Sequence, residues 1–254
     1  MNKKQILEQI RSEIEGEKQE LQCMRDADFF AALAKNKNLT RAEFNTKNSA
    51  FDKGVAARSK AEVMRRYTKK LIETSGFKST APNDFKKAKP PTPEHAKIYT
   101  ALAQYCAKFP AVKTPNVMLC GATGTGKTYT AHIVANNLLH RGFSVLYVTS
   151  FGLVERFKKY VQTFGDETET DALFDCDMLV IDDLGTEPII KNITQEYLYN
   201  VINERLVSGK AFLITTNLSP AALMEKYDQR IASRILSKES SVVIEMRSKD
   251  LRLS

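Results

Sequence analysis

No stretch of this 254-residue chain is apolar for long enough to cross a bilayer, and its first residues, MNKKQILEQIRSEIEGEKQE, alternate charge where an export signal would be hydrophobic. That excludes a membrane-spanning or exported protein on this reading, so a cytoplasmic one without membrane contact is expected. Cysteine is sparse and scattered: Cys23, Cys106, Cys120 and Cys176 stand singly, with no close pair to chelate zinc and no disulfide-like framework. Cys120 and Cys176 lie in or beside apolar runs, where a thiol serves as a small buried hydrophobe. Internal repeats and low-complexity tracts are also missing. What remains is an ordinary globular composition, 43% hydrophobic and 27% charged, able to bury a core.

The charge is not balanced. The chain carries +8, and residues 1–80 hold 17 Lys and Arg against 11 Asp and Glu, a net of +6. A basic N-terminal third suits nucleic acid or an acidic protein surface, while solvated helix faces without a partner explain it equally well. Within it, Ile6, Ile10 and Ile14 recur at four-residue spacing and Leu21 and Met24 continue the stripe, which predicts an amphipathic helix. Thr40 with Glu43 and Ser59 with Glu62 read as capping boxes. The second opens a helix with Val63, Tyr67 and Leu71 on one face and Arg65, Arg66, Lys69 and Lys70 elsewhere, stopped by Gly76. Three divisions follow: residues 1–75 as a helical region too small for a robust core of its own, 76–95 as a proline-stiffened linker through Pro82, Pro90, Pro91 and Pro93, and 96–254 as the main domain. Ile98, Leu102, Tyr105 and Phe109 give one more helix after Pro93.

From Pro115 onward, short apolar runs alternate with helical stretches. NVMLCG, SVLYVTS, DMLVIDDLG, AFLITTN and SVVIEM read as strands; GKTYTAHIVANNLLHRG, FGLVERFKKYVQTFG and ITQEYLYNVINERLVSG read as helices, and SPAALMEKY and DQRIASRIL as short ones. Near-continuous apolar strands separated by helices predict an α/β fold with a parallel sheet covered on both faces.

Gly121-Ala122-Thr123-Gly124-Thr125-Gly126-Lys127-Thr128, followed by Tyr129, fits the phosphate-loop pattern G-x-x-x-x-G-K-[ST] between a strand and a helix. Its glycines let successive N–H groups turn toward phosphate oxygens at a helix N-terminus. Lys127 would then bridge the outer phosphates and Thr128 would ligate Mg²⁺. Asp182 ends an apolar strand, where such sheets hold ligands, and would act on Mg²⁺ through water; Asp183 would orient or activate the attacking water. Asn217, closing LITTN, is placed to meet the γ-phosphate and the water, although an Asn there is commonly turn chemistry. Arg230 and Arg234 lie one helical turn apart, either solvated or reaching a neighbour's phosphate as an arginine finger.

GATGTGKT, LVIDDLG, LITTN and the RIASR arginines, in this order, resemble an AAA+ ATPase, and the stretches around the loop resemble the DnaC/DnaI branch of bacterial replicative helicase loaders over roughly residues 75–250. The resemblance implies a five-stranded AAA+ P-loop core, ATP and Mg²⁺ as cofactors, a sensor role for Asn217 and a finger role for Arg234 or Arg230. It also implies a DnaB-type replicative helicase as partner of the N-terminal region, single-stranded DNA, and head-to-tail self-association. The helix 151–165 corresponds to where these loaders meet single-stranded DNA; there Arg156, Lys158 and Lys159 interleave with Phe157 and Tyr160, a mixture suited to phosphate neutralisation and base stacking, or equally to a core. Asp183 stands where many AAA+ proteins have Glu, one methylene longer, which implies slow hydrolysis and a switching nucleotide. The end of the chain soon after the arginines implies no helical lid. The alternatives are an IstB-type transposition helper, a structural adaptor without significant hydrolysis, and a small-molecule phosphotransferase, which would leave the basic extension and paired arginines unexplained.

Overall fold

A computed structural model of the chain describes residues 12, 77, 79–163 and 170–251. It divides into two compact units, Met1–Lys70 and Leu71–Ser254. The helices expected around Ile6 to Met24 and Ser59 to Leu71 lie outside the described residues.

The second unit contains five strands, β1 (Asn116–Cys120), β2 (Val145–Thr149), β3 (Met178–Leu184), β4 (Ala211–Thr216) and β5 (Ser241–Glu245). All pair in parallel, in the order β2-β3-β4-β1-β5. The helices are α1 (Pro93–Lys108), α2 (Lys127–His140), α3 (Ser150–Gln162), α4 (Asp171–Asp175), α5 (Thr194–Val207), α6 (Pro220–Lys226) and α7 (Gln229–Ile235). Every strand expected from the apolar runs is present, whereas the sequence reading missed the single turn α4.

Burial explains the pattern. β1 and β4 are buried at every position, and β3 at all but Asp183, as central strands covered on both faces must be. The edge strand β5 leaves Val242 and Val243 partly exposed. α2 turns Ile133, Val134, Leu138 and Leu139 inward and ends where Gly142 takes φ +84, a left-handed conformation that glycine adopts without strain. Cys106, Cys120 and Cys176 are all buried free thiols.

The proline-rich stretch expected as a linker is packed against the domain. Phe77, Ala81, Phe85 and Ala88 are buried, and two asparagines of α2 hold its backbone: Asn136 Nδ2 donates to the Ala81 carbonyl at 2.7 Å and Asn137 Nδ2 to that of Asn83 at 3.0 Å. Alternation of prolines with small and aromatic residues reads as a spacer in one dimension, but it also supplies apolar side chains at intervals that a helix surface can accept.

Buried Arg205 joins two elements. It lies on α5 with no exposed surface, and its guanidinium donates to the carbonyls of Leu173 at 2.6 Å, Cys176 at 3.0 Å and Ala211 at 2.6 Å. These acceptors are backbone groups around α4 and the start of β4, which the cation satisfies without a buried carboxylate.

Candidate nucleotide site

The loop after β1 is shaped by positions that tolerate little else than glycine. Gly121 has φ +146, and a Cβ there would lie 2.3 Å from the Met246 carbonyl oxygen. Gly124 (φ +78) and Gly126 (φ +84) supply the left-handed turns that feed α2. Gly126 caps α2 without a side chain, so no side-chain acceptor competes for the first-turn N–H groups. Lys127 folds back along the loop and donates from Nζ to the carbonyls of Gly121 at 2.9 Å and Ala122 at 2.7 Å. Thr125 is buried and donates to the Ala122 carbonyl at 2.9 Å, while Thr123 and Tyr129 are exposed.

Two groups brace this loop that motif reading did not find. His95, in the first turn of α1 and buried, sits with Nε2 2.9 Å from the Thr125 carbonyl and Nδ1 2.7 Å from Thr92 Oγ1. A carbonyl only accepts, so Nε2 carries the proton and the Thr92 hydroxyl donates to Nδ1. The segment after β5 also crosses the loop: Met246 N donates to the Cys120 carbonyl at 2.7 Å and Leu251 N to the Gly124 carbonyl at 3.0 Å. A Cβ on Gly124 would meet Asp250 Oδ1 at 2.0 Å. A lone histidine and a polar tail carry no motif, and only their packing reveals them.

Asp182 is 5% exposed, and its Oδ1 accepts from Thr128 Oγ1 at 3.1 Å and from Thr215 Oγ1 at 2.5 Å. Register explains the second contact. Ile181 pairs with Ile214 and Leu184 with Thr216, so Asp182 and Asp183 together oppose Thr215, a β-bulge of one extra residue. Asp183 takes φ +56, and its N–H donates to Thr215 Oγ1 at 2.9 Å. Burial, and then the charge of Asp182, push the Asp183 carboxyl above its usual pKa, with Lys127 opposing them. Thr128 and Asp182 thus offer a hydroxyl and a carboxylate in contact, hard oxygen donors of the kind a magnesium ion takes alongside substrate phosphates.

Asn217 is exposed, one residue past the end of β4, and Thr215 is the β4 side chain that reaches Asp182. Arg230 and Arg234 gather on Tyr199 of α5, with guanidinium carbons 5.0 and 4.6 Å from its ring centroid. Arg230 pairs with Asp228 at 2.8 Å. Arg234 donates to Asn203 Oδ1 and to the Tyr199 hydroxyl, both at 3.0 Å. On α3, Phe157 is buried and stacks on Tyr197 with centroids 5.4 Å apart, which removes it as a platform for bases: the same stripe that turns Leu153 and Val154 inward turns Phe157 inward too. Lys158 pairs with Glu155, Arg156 is half-buried, Lys159 is exposed, and Tyr160 meets Tyr197 edge-on.

The loop after β3 is tied to the end of α6 and to Tyr227, which follows it. Buried Glu187 accepts from Gly185 N at 2.8 Å and from the Tyr227 hydroxyl, and Lys226 Nζ donates to the Gly185 carbonyl at 2.6 Å. The segment that follows Asp183 is thereby anchored just ahead of the arginine-bearing helix.

Comparison with known proteins agrees with this geometry. A family model described as IstB-like ATP binding protein matches residues 30–253. The chromosomal replication initiator protein DnaA of Campylobacter concisus is 28% identical over 149 residues, covering 59% of this chain and 33% of the relative, so the chain spans about a third of that protein. Among solved structures, the DnaC helicase loader superposes with TM-score 0.57 at 20% identity, over 64% of this chain and 96% of that one. Replication initiator DnaA bound to AMPPCP and single-stranded DNA superposes with TM-score 0.56 at 16% identity, over 67% of this chain and 52% of that one. At these identities the structures share the AAA+ P-loop fold. No helix among the described residues is long and apolar enough to cross a membrane.

Proposed function

Because the chain belongs to the IstB-like ATP-binding family, we propose that it is an ATPase that loads a DnaB-type replicative helicase onto single-stranded DNA in the initiation or restart of replication. ATP binding controls a head-to-tail assembly of its copies. The observation that carries this reading is the convergence of Lys127, Thr128, Asp182 and Thr215 at the carboxyl ends of the three central strands, in a fold shared with almost the whole length of the DnaC loader.

The loop Gly121–Thr128 would hold ATP, Thr128 and Asp182 would hold Mg²⁺, and the Lys127 ammonium would neutralise phosphate charge. Asp183 is the candidate base. Its pKa is raised, which helps a carboxylate accept a proton, but it is short and held in a bulge, so turnover is slow. Arg234, or Arg230, reaches the nucleotide of a neighbouring copy. Such a heterologous interface forms an open spiral as readily as a ring. Residues 1–75 grip the helicase, and the ATPase domain takes in the packed proline-rich stretch from Phe77 onward together with residues 96–254; Arg156, Lys159 and Tyr160 lie along the path of single-stranded DNA.

The family description, an IstB-like ATP binding protein, keeps one rival in view: a helper ATPase of a transposase on duplex DNA. The full chain, incubated with ATP or ADP and with purified replicative helicase, separates the two by sedimentation. An ATP-dependent complex that retains single-stranded DNA supports the loader. No helicase complex, together with ATP-dependent assembly on duplex DNA, supports the rival.

A further inference from the structure

The hydroxyl of Tyr147, on β2, is buried and has no hydrogen-bond partner. Buried polar groups are seldom left this way, and each exception calls for a reason. The register supplies one. Thr149 pairs with Asp182 and Tyr147 with Val180, so Tyr147 and Asp182 project to the same face of the sheet, one diagonal step apart. α2 lies over that face. His132 meets the Tyr147 ring edge-on at 4.9 Å, and Thr128, one turn earlier on the same helix, is the residue that donates to Asp182. Burial, then the charge of Asp182 and a hydrogen-bonding approach to its carboxylate, raise the phenol's pKa: the hydroxyl stands within reach of Asp182 without a hydrogen bond of normal geometry to it.

The ring is fixed from both sides. Phe77 stacks on it with centroids 4.6 Å apart and planes 23° from parallel, and His132 is itself held with Nδ1 3.0 Å from Ser79 Oγ.

A buried donor therefore lies beside a carboxylate with acceptor capacity to spare. Thr128 commits its proton to Asp182 and keeps its oxygen lone pairs for a magnesium ion, while the carboxylate has lone pairs left for a further donor. We propose that Tyr147 is a positioning residue for Asp182, its hydroxyl donating to the Asp182 carboxylate beside that of Thr128 when the ion is bound. This rests on the reading of Thr128 and Asp182 as the magnesium pair.

The test is Tyr147→Phe in the full chain, which keeps the ring between Phe77 and His132. Binding of a fluorescent ATP analogue is measured across a magnesium titration and again in EDTA, alongside the melting temperature without nucleotide. The expected result is a magnesium midpoint raised about tenfold, the size of one hydrogen bond to a charged group, with EDTA affinity unchanged and melting no lower than wild type. An unchanged midpoint overturns the proposal. So does a parallel loss of melting temperature and EDTA affinity, which marks a packing role. Thr128→Ala serves as the control: if it titrates like wild type, the magnesium pair itself is wrong and the proposal falls with it.

Discussion

Thr215 stands opposite both Asp182 and Asp183, donating its hydroxyl to the first carboxylate at 2.5 Å and accepting the backbone N–H of the second at 2.9 Å. One side chain of β4 thus sets the geometry of the whole carboxylate pair, and the two contacts lead to the first prediction.

Thr215→Val keeps the shape and removes both bonds. ATPase turnover should fall by about tenfold to a hundredfold and stability by about 1–3 kcal/mol, since a buried carboxylate and a buried N–H lose partners. Asn217→Ala, at an exposed position, should change stability by less than about 0.5 kcal/mol. Thermal melts and steady-state ATPase of the two variants check the ranking.

The pH dependence follows from Asp183. Its carboxyl titrates above the ordinary aspartate value of about 3.9 because folding disfavours the ionised form. A group with its folded pKa raised contributes stability below the unfolded pKa and loses it as pH rises through the folded one. Asp183→Asn should therefore melt higher than wild type at pH 7, with the gap closing at acid pH. In wild type, the acid limb of the ATPase profile should lie above the range of a free aspartate. A variant that melts below wild type at pH 7 would contradict this.

Arg205 supports a different claim, about the fold. Arg205→Met leaves the carbonyls of Leu173, Cys176 and Ala211 without their donor, at an expected loss of about 3–5 kcal/mol. Arg205→Lys should recover little of it, because an ammonium lacks the fork that spans these acceptors. Urea titration of both variants measures the loss.

Arg234 is held by Asn203 and Tyr199 on its own chain, away from its own phosphate loop. If it acts on a neighbour, Arg234→Ala should lose about 10³-fold or more in turnover, and mixing it with Lys127→Ala should restore activity at mixed interfaces. Arg230→Ala, run in parallel, identifies which arginine matters. Full activity in both variants would remove the finger from the mechanism.

The phosphate loop, the alternating strands and Asp182 were legible in the sequence because each depends on local rules: glycines where φ is positive, apolar runs for central strands, a carboxylate at a strand's end. Phe157 was read as possible DNA contact or core from an interleaved stripe of rings and cations, and the helix face decided for core. Asn217 draws attention because it ends its strand, but position along a strand does not reveal that Thr215 faces the bulge on the next.

By itself, then, the sequence determined the nucleotide loop, the order of elements and the α/β class, all encoded over short spans. The tertiary structure alone decided that β4 lies between β1 and β3, which puts Thr215 between the loop and Asp182; that His95 and the tail through Leu251 brace the loop; and that Tyr147 lies one step from Asp182. Those relations depend on strand order and register. Both are set by how the apolar faces of distant segments bury against one another, and no local pattern records them.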